Sequence, residues 1–144
     1  MRIGRVLLTI GIAIGFLPVL GVGPASACSC FAAGDKKLYS QADVVFKGKV
    51  TRTQYPANYE NDINASPIIY TMKATRDYKG RVRPTMKIRT AGNDALCGIS
   101  LGKGAYIVFA DRNGKGRLVA NLCGGTRPFD GEDQPYFAPG KKVG

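Results

Sequence analysis

The sequence predicts an all-β domain with one minor helix, folded as a five-stranded Greek-key barrel of the OB type. Three observations predict it. Apolar residues recur with period two in several short segments. Gly, Pro, Asn and Asp separate those segments, as turns require. The chain has 144 residues, 44% apolar and 22% charged, which suits a single globular domain. A small β-sandwich is the other architecture this pattern allows.

The elements follow in order. Residues Asp35–Gln41 are predicted as a short helix, with Gly34 before it and Leu38 and Tyr39 facing a core. From Ala42 the pattern turns to strand. Val44, Phe46, Gly48 and Val50 alternate with Val45, Lys47, Lys49 and Thr51, the second set forming a polar face. Residues 54–67 are polar, with two Pro and three Asn, and read as a long exposed loop. A second strand is expected over 68–78 and a third over Thr85–Thr90, joined by a turn at Lys79-Gly80. The run AYIVFA over 105–110 is continuously apolar, as a strand buried on both faces would be. Asp111-Arg112-Asn113-Gly114 turns the chain into a fifth strand over 116–123. Residues 130–144 carry acids, Pro and Gly without a sustained period, and are expected to form a weakly ordered tail.

The first 27 residues read as an address. Arg2 and Arg5 precede an uncharged, mostly apolar run over 6–22, then Pro24 and the small residues Ala25-Ser26-Ala27. That is the layout of a secretory signal peptide over 1–27. The run is at the short limit for a membrane anchor, the alternative reading. Cleavage after Ala27 would make Cys28 the first residue of an exported, extracellular chain with no membrane association. Lipidation of Cys28 is a third possibility, although the preceding residues lack the Leu of a lipidation site.

Composition excludes several chemistries. There is no His, hence no Ser-His-Asp or Cys-His relay and no His-bearing zinc site. Asp43, Asp77 and Asp94 stand isolated, without catalytic spacing, and no enzyme is expected. The formal charge is +11, but no basic run exceeds Lys36-Lys37 or Lys141-Lys142. Cations such as Arg81, Arg83, Lys87 and Arg89 are dispersed along the chain, which reads as a solvated basic surface rather than a nucleic-acid face.

All four cysteines, Cys28, Cys30, Cys97 and Cys123, follow the signal segment. An even count in an exported chain reads as two disulfides. Cys28 and Cys30 are too close for an easy mutual bridge. Either remaining pairing closes loops of ~70–95 residues, worth about 4–5 kcal/mol each in the chain-entropy model. Either also fixes residues 28 and 30 to the core, where chain ends are normally frayed. A four-cysteine metal site would want paired C-x2-C spacings, which are absent.

Cys28-Ser29-Cys30, Gln41-Ala42-Asp43-Val44-Val45, Leu96-Cys97-Gly98-Ile99-Ser100-Leu101 and Leu122-Cys123 together resemble the tissue inhibitors of metalloproteinases in order and separation. The resemblance is to that family's N-terminal netrin-like module, an OB barrel, and implies a domain over 28–129. It implies the pairings Cys28–Cys97 and Cys30–Cys123. The family's third bridge has no counterpart, since Ser40 stands near its first position and no Cys follows Cys123. No second, cysteine-rich domain is expected.

In that family the α-amine and carbonyl of the first Cys chelate the zinc of a metalloproteinase. The resemblance therefore implies Cys28 as the ligand to the protease's zinc. It implies a protease-contact ridge of Cys28, Ser29, Cys30 and Phe31, with Asn93, Asp94, Ala95 and Leu96 alongside. Ser29 would enter the specificity pocket. Phe31-Ala32 depart from the aliphatic residue and Pro usual there. The expected partner is a zinc metalloproteinase, met by a monomer without a cofactor of its own or a nucleic-acid partner. The second reading is an extracellular or cell-envelope netrin-like binding module without inhibitory activity, for an acidic polymer or protein.

Overall fold

Two long strands set the shape of the domain. In the computed structural model, which describes residues 28–57, 59, 67–92, 96–131 and 140–144, β1 runs Val44–Gln54 and β2 Ile68–Lys79. The expected signal segment 1–27, Asn93, Asp94 and Ala95, and parts of the 54–67 loop and 130–144 tail lie outside the described residues. β1 pairs antiparallel with β2 along its length, and its first half, Val44 to Lys49, pairs on the other edge with β4 (Ala105–Arg112). Three register shifts between β1 and β2 bend the pair, as closing a sheet into a barrel demands. β3 (Thr85–Thr90) continues the sheet from β2 and pairs in parallel with β5 (Leu118–Val119). β5 then pairs with β4, closing a five-stranded barrel in the order β1-β2-β3-β5-β4. Two short strands decorate it: β6 (Arg127–Pro128) on β4 and β7 (Lys141–Lys142) on β2.

The barrel interior holds the inward phase of every strand. Phe46, Tyr70, Met72, Ile88 and Val108 are buried there together with Ile99 from the β3–β4 connection. A second, smaller core lies outside the barrel wall, where Val45, Ile107, Phe109, Tyr78 and Ala42 are buried under Leu38 and Tyr39. Those two residues come from α1 (Asp35–Gln41), which Lys79 caps by donating to the Tyr39 and Ser40 carbonyls at 2.7 and 3.1 Å. Strand β4 is accordingly buried on both faces between 107 and 110.

Two expectations are corrected. Val45, placed on a polar face by the alternation, is fully buried because α1 covers that face of β1. The fifth strand is two residues long, not the eight over 116–123. Leu122–Gly124 forms a 3-10 turn instead, because the Asn121 side chain accepts from the Cys123 N–H at 2.9 Å and Gly125 ends the turn at φ 92°. Within the expected tail, Lys141 and Lys142 pair with Asp77 and Arg76, and Val143 packs against the main core.

The ADVV segment explains itself here. Val44 and Val45 bury on opposite faces, one in each core. Asp43 accepts from the Arg112 N–H at 2.6 Å, locking the start of β1 to the end of β4. Gly80 ends β2 beside it at φ 79°, and a Cβ there would run into the Asp43 carbonyl oxygen. Gly80→Ala is therefore expected to cost at least ~2 kcal/mol in urea unfolding, from the positive φ and the clash together. A change within ~0.5 kcal/mol, the range of ordinary surface substitutions, would contradict this packing.

Candidate functional site

Residues 28–34 have no regular structure and bury little: Cys28 is half-buried, and Ser29, Cys30, Phe31 and Ala32 are exposed. Their position is imposed from outside. Cys28 is bonded to Cys97 and Cys30 to Cys123, with Cα–Cα separations of 5.5 and 5.2 Å. Both pairs are those the family resemblance implies. At its far end the segment runs into α1, whose Asp35 carboxylate takes both terminal nitrogens of Arg127 at 3.2 and 2.9 Å.

A disulfide positions a residue only as well as its partner is held. Cys97 begins a connector fixed to the barrel interior by two buried side chains. Thr90 Oγ1 accepts from Ile99 N–H at 2.8 Å. Tyr70, 1% exposed, donates its hydroxyl to the Ile99 carbonyl at 3.2 Å and accepts from Leu101 N–H at 3.1 Å. Ile99 and Leu101 bury their own side chains in the same core. Cys97 itself stands at φ 60°, a left-handed conformation a residue with a Cβ adopts only when its surroundings require it. Those surroundings are the disulfide, the connector and a hydrogen bond from Leu122 N–H to the Cys97 carbonyl at 2.9 Å.

That last bond joins the two anchors. Leu122 is the neighbour of Cys123, so the segments holding Cys28 and Cys30 are tied to each other as well as to the barrel. The Cys123 side is braced by the Asn121 cap and by Gly125. A Cβ at Gly125 would lie 2.8 Å from Leu38 Cδ1, so glycine lets α1 approach the turn closely. Thr126 adds a two-way bond to Phe109, donating to its carbonyl and accepting from its N–H, both at 3.1 Å.

The result is an exposed segment, covalently anchored at two points, with an apolar character. Phe31 is 97% exposed, Leu96 47% and Leu122 49%, and each stands next to a half-cystine. Large apolar side chains left in water at one place are a mark of an interaction surface. Of the residues predicted for the ridge, the structure brings together Cys28, Ser29, Cys30, Phe31 and Leu96, while Asn93, Asp94 and Ala95 lie outside the described residues. Leu122 belongs with them and escaped sequence reasoning, as did Tyr70 and Thr90, which position the ridge from within. The signal for Tyr70 was available: a hydroxyl-bearing residue on the inward phase of a strand must find partners inside.

A family model described as "Tissue inhibitor of metalloproteinase" matches residues 26–132. The chain is 32% identical to Metalloproteinase inhibitor 2 of Homo sapiens over 129 residues, covering 85% of this chain and 58% of that protein. It is 33% identical to the protein of that name from Rattus norvegicus, over 74% of this chain and 51% of the relative. The Cavia porcellus protein is 33% identical over 83% of this chain and 57% of its own length. The chain thus spans between 51% and 58% of the length of these curated relatives.

Burial pushes the Tyr70 phenol above its ordinary value of 10.0, partly offset by the bond from Leu101. A phenol whose folded value is raised gives stability that is complete below about pH 10 and lost as pH climbs through the folded value. Tyr78, raised by burial in the second core, behaves alike. Tyr70→Phe removes both bonds to the connector and should cost about 1–3 kcal/mol in urea unfolding at pH 7. It should also lose less stability than wild type as the pH is raised above 10. An identical alkaline decline in the variant would contradict a contribution from Tyr70.

Proposed function

The chain belongs to the tissue inhibitor of metalloproteinase family, and on that premise we propose that it is an exported inhibitor of a zinc metalloproteinase, acting through the amine and carbonyl of Cys28. The observation that carries this reading is the pair of disulfides within three residues, which anchor an exposed segment to the barrel. Such an arrangement does little for a core, since residues 29–32 are exposed. It does much for a ligand that must enter a metal site in one orientation.

The chemistry suits the residues. A catalytic zinc keeps one coordination position for water beside its three protein ligands. Cleavage after Ala27 would release the Cys28 α-amine, a nitrogen donor with an ordinary pKa near 7.7–8.0, whose proton a metal displaces at neutral pH. Amine and carbonyl of one residue form a five-membered chelate that displaces the attacking water. Ser29 enters the specificity pocket as a small polar side chain. Phe31, Leu96 and Leu122 cover the surrounding rim. Holding the segment in advance removes the entropic cost of ordering it on binding, about 0.5–1.5 kcal/mol for each flexible side chain immobilised.

Two experiments test this. Adding one Ala ahead of Cys28, or acetylating its amine, is expected to weaken inhibition of a susceptible zinc metalloproteinase by at least ~100-fold, a loss of about 2.7 kcal/mol. Thermal stability and both disulfides should be unchanged. Full inhibition by the extended protein would sink the chelation mechanism. Phe31→Ala should leave unfolding within ~0.5 kcal/mol of wild type, because the side chain is 97% exposed. It should weaken inhibition about tenfold, as truncating an interfacial aromatic does. Equal inhibition constants would remove Phe31 from the ridge.

A further inference from the structure

A cavity on the α1 side of the barrel runs against the charge of the whole chain. The sequence holds 21 Lys and Arg against 10 Asp and Glu. Yet the cavity, about 390 Å³ between α1, the end of β4 and the Leu122–Gly124 turn, is lined by one carboxylate, Asp111, and by no cation. Its apolar floor is Leu38, Ala42 and Phe109, and the exposed carboxamides of Gln41 and Asn121 stand at its rim. Cys123 borders it, on the side of the bridge to Cys30. The volume falls within the ~300–1,000 Å³ usual for ligand sites.

Phe109 and Asp111 share one face of β4. Helix α1 covers that face at Phe109, 2% exposed, and leaves Asp111 exposed. Among the described residues nothing pairs with the Asp111 carboxylate or hydrogen-bonds the Gln41 carboxamide. The adjacent Arg112 does not neutralise Asp111, because its guanidinium rests on the Gly116 carbonyl at 3.3 Å. Glycine keeps the turn side clear. A Cβ at Gly124 would meet Asn121 Oδ1 at 3.5 Å and the Phe109 carbonyl oxygen at 3.9 Å, ordinary contacts with the lining.

A carboxylate and a carboxamide oxygen above an apolar floor select a cation with an aliphatic stem and repel an anion. Guanidinium suits them better than ammonium. Its planar fork gives a carboxylate two N–H groups and keeps others for an amide oxygen. The Phe109 ring already serves one guanidinium: Arg127 lies over it at 5.6 Å while its terminal nitrogens hold the Asp35 carboxylate at 3.2 and 2.9 Å.

We propose that this cavity receives an arginine side chain displayed by a protein partner, its methylenes on Leu38, Ala42 and Phe109 and its guanidinium on Asp111 and Gln41. The probe is the capped peptide acetyl-Ala-Arg-Ala-amide, titrated into the disulfide-intact protein and followed by ¹⁵N–¹H NMR. Saturable shifts are expected at Gln41, Asp111, Asn121, Cys123 and Gly124. Citrulline in place of the peptide's Arg keeps the shape and loses the charge, and should weaken binding at least ~10-fold. Lys in its place should weaken binding at least ~3-fold. Asp111→Asn should weaken binding of the Arg peptide at least ~10-fold and leave unfolding within ~0.5 kcal/mol of wild type, since the side chain is exposed. Gly124→Leu, which fills the cavity, should abolish the shifts while its spectrum stays that of a folded barrel. Three results would each overturn the proposal: no saturable shift at these residues, equal affinity for the Arg and citrulline peptides, or equal binding by Asp111→Asn and wild type. A Lys peptide binding as tightly as the Arg peptide would overturn the assignment to arginine. No protease enters the measurement, so its outcome is separate from that of the inhibitor reading.

Discussion

A three-residue segment cannot bury enough surface to hold itself in place, so whatever fixes it must come from elsewhere in the fold. Here that constraint is the pair of bridges Cys28–Cys97 and Cys30–Cys123, separated in sequence by 69 and 93 residues. The bridges would merely tether two loops if 97–101 and 121–126 were themselves loose. They are not, because Tyr70 and Thr90 reach from the barrel interior to the first connector and Asn121 and Thr126 brace the second. The Leu122 to Cys97 hydrogen bond then makes the two anchors one unit. The position of residues 28–31 is thus set from the barrel core, through hydrogen bonds and sulfur.

Much of this was legible before any coordinates. Helix α1, β2, β3 and the doubly buried β4 follow from periodicity, and the odd cysteine spacing marks 28–30 as a segment the fold must hold. What periodicity could not reveal was competition between local and long-range interactions. The apolar pattern over 116–123 continues past Val119, but Asn121 offers its own oxygen to the Cys123 N–H and diverts the chain into a 3-10 turn. Val45 sits in a polar phase by counting, yet a helix seven residues long covers it. Leu122, expected within the fifth strand, is half exposed beside Cys123.

The basic charge shows the same limit from the other side. Counted along the chain, Arg81, Arg83, Lys87, Arg89, Arg112 and Arg117 are dispersed surface cations. The parallel pairing of β3 with β5 brings the last two beside the first four, which no local window can anticipate.

The central claim is that the segment beginning at Cys28 is rigid before any partner arrives. Backbone ¹⁵N relaxation of the disulfide-intact protein measures this directly at Ser29, Cys30 and Phe31. Order parameters near 0.85, equal to those of the barrel strands, are the result this account predicts. Values below about 0.6 at those three residues would contradict it, because a terminus that mobile gains nothing from its two bridges.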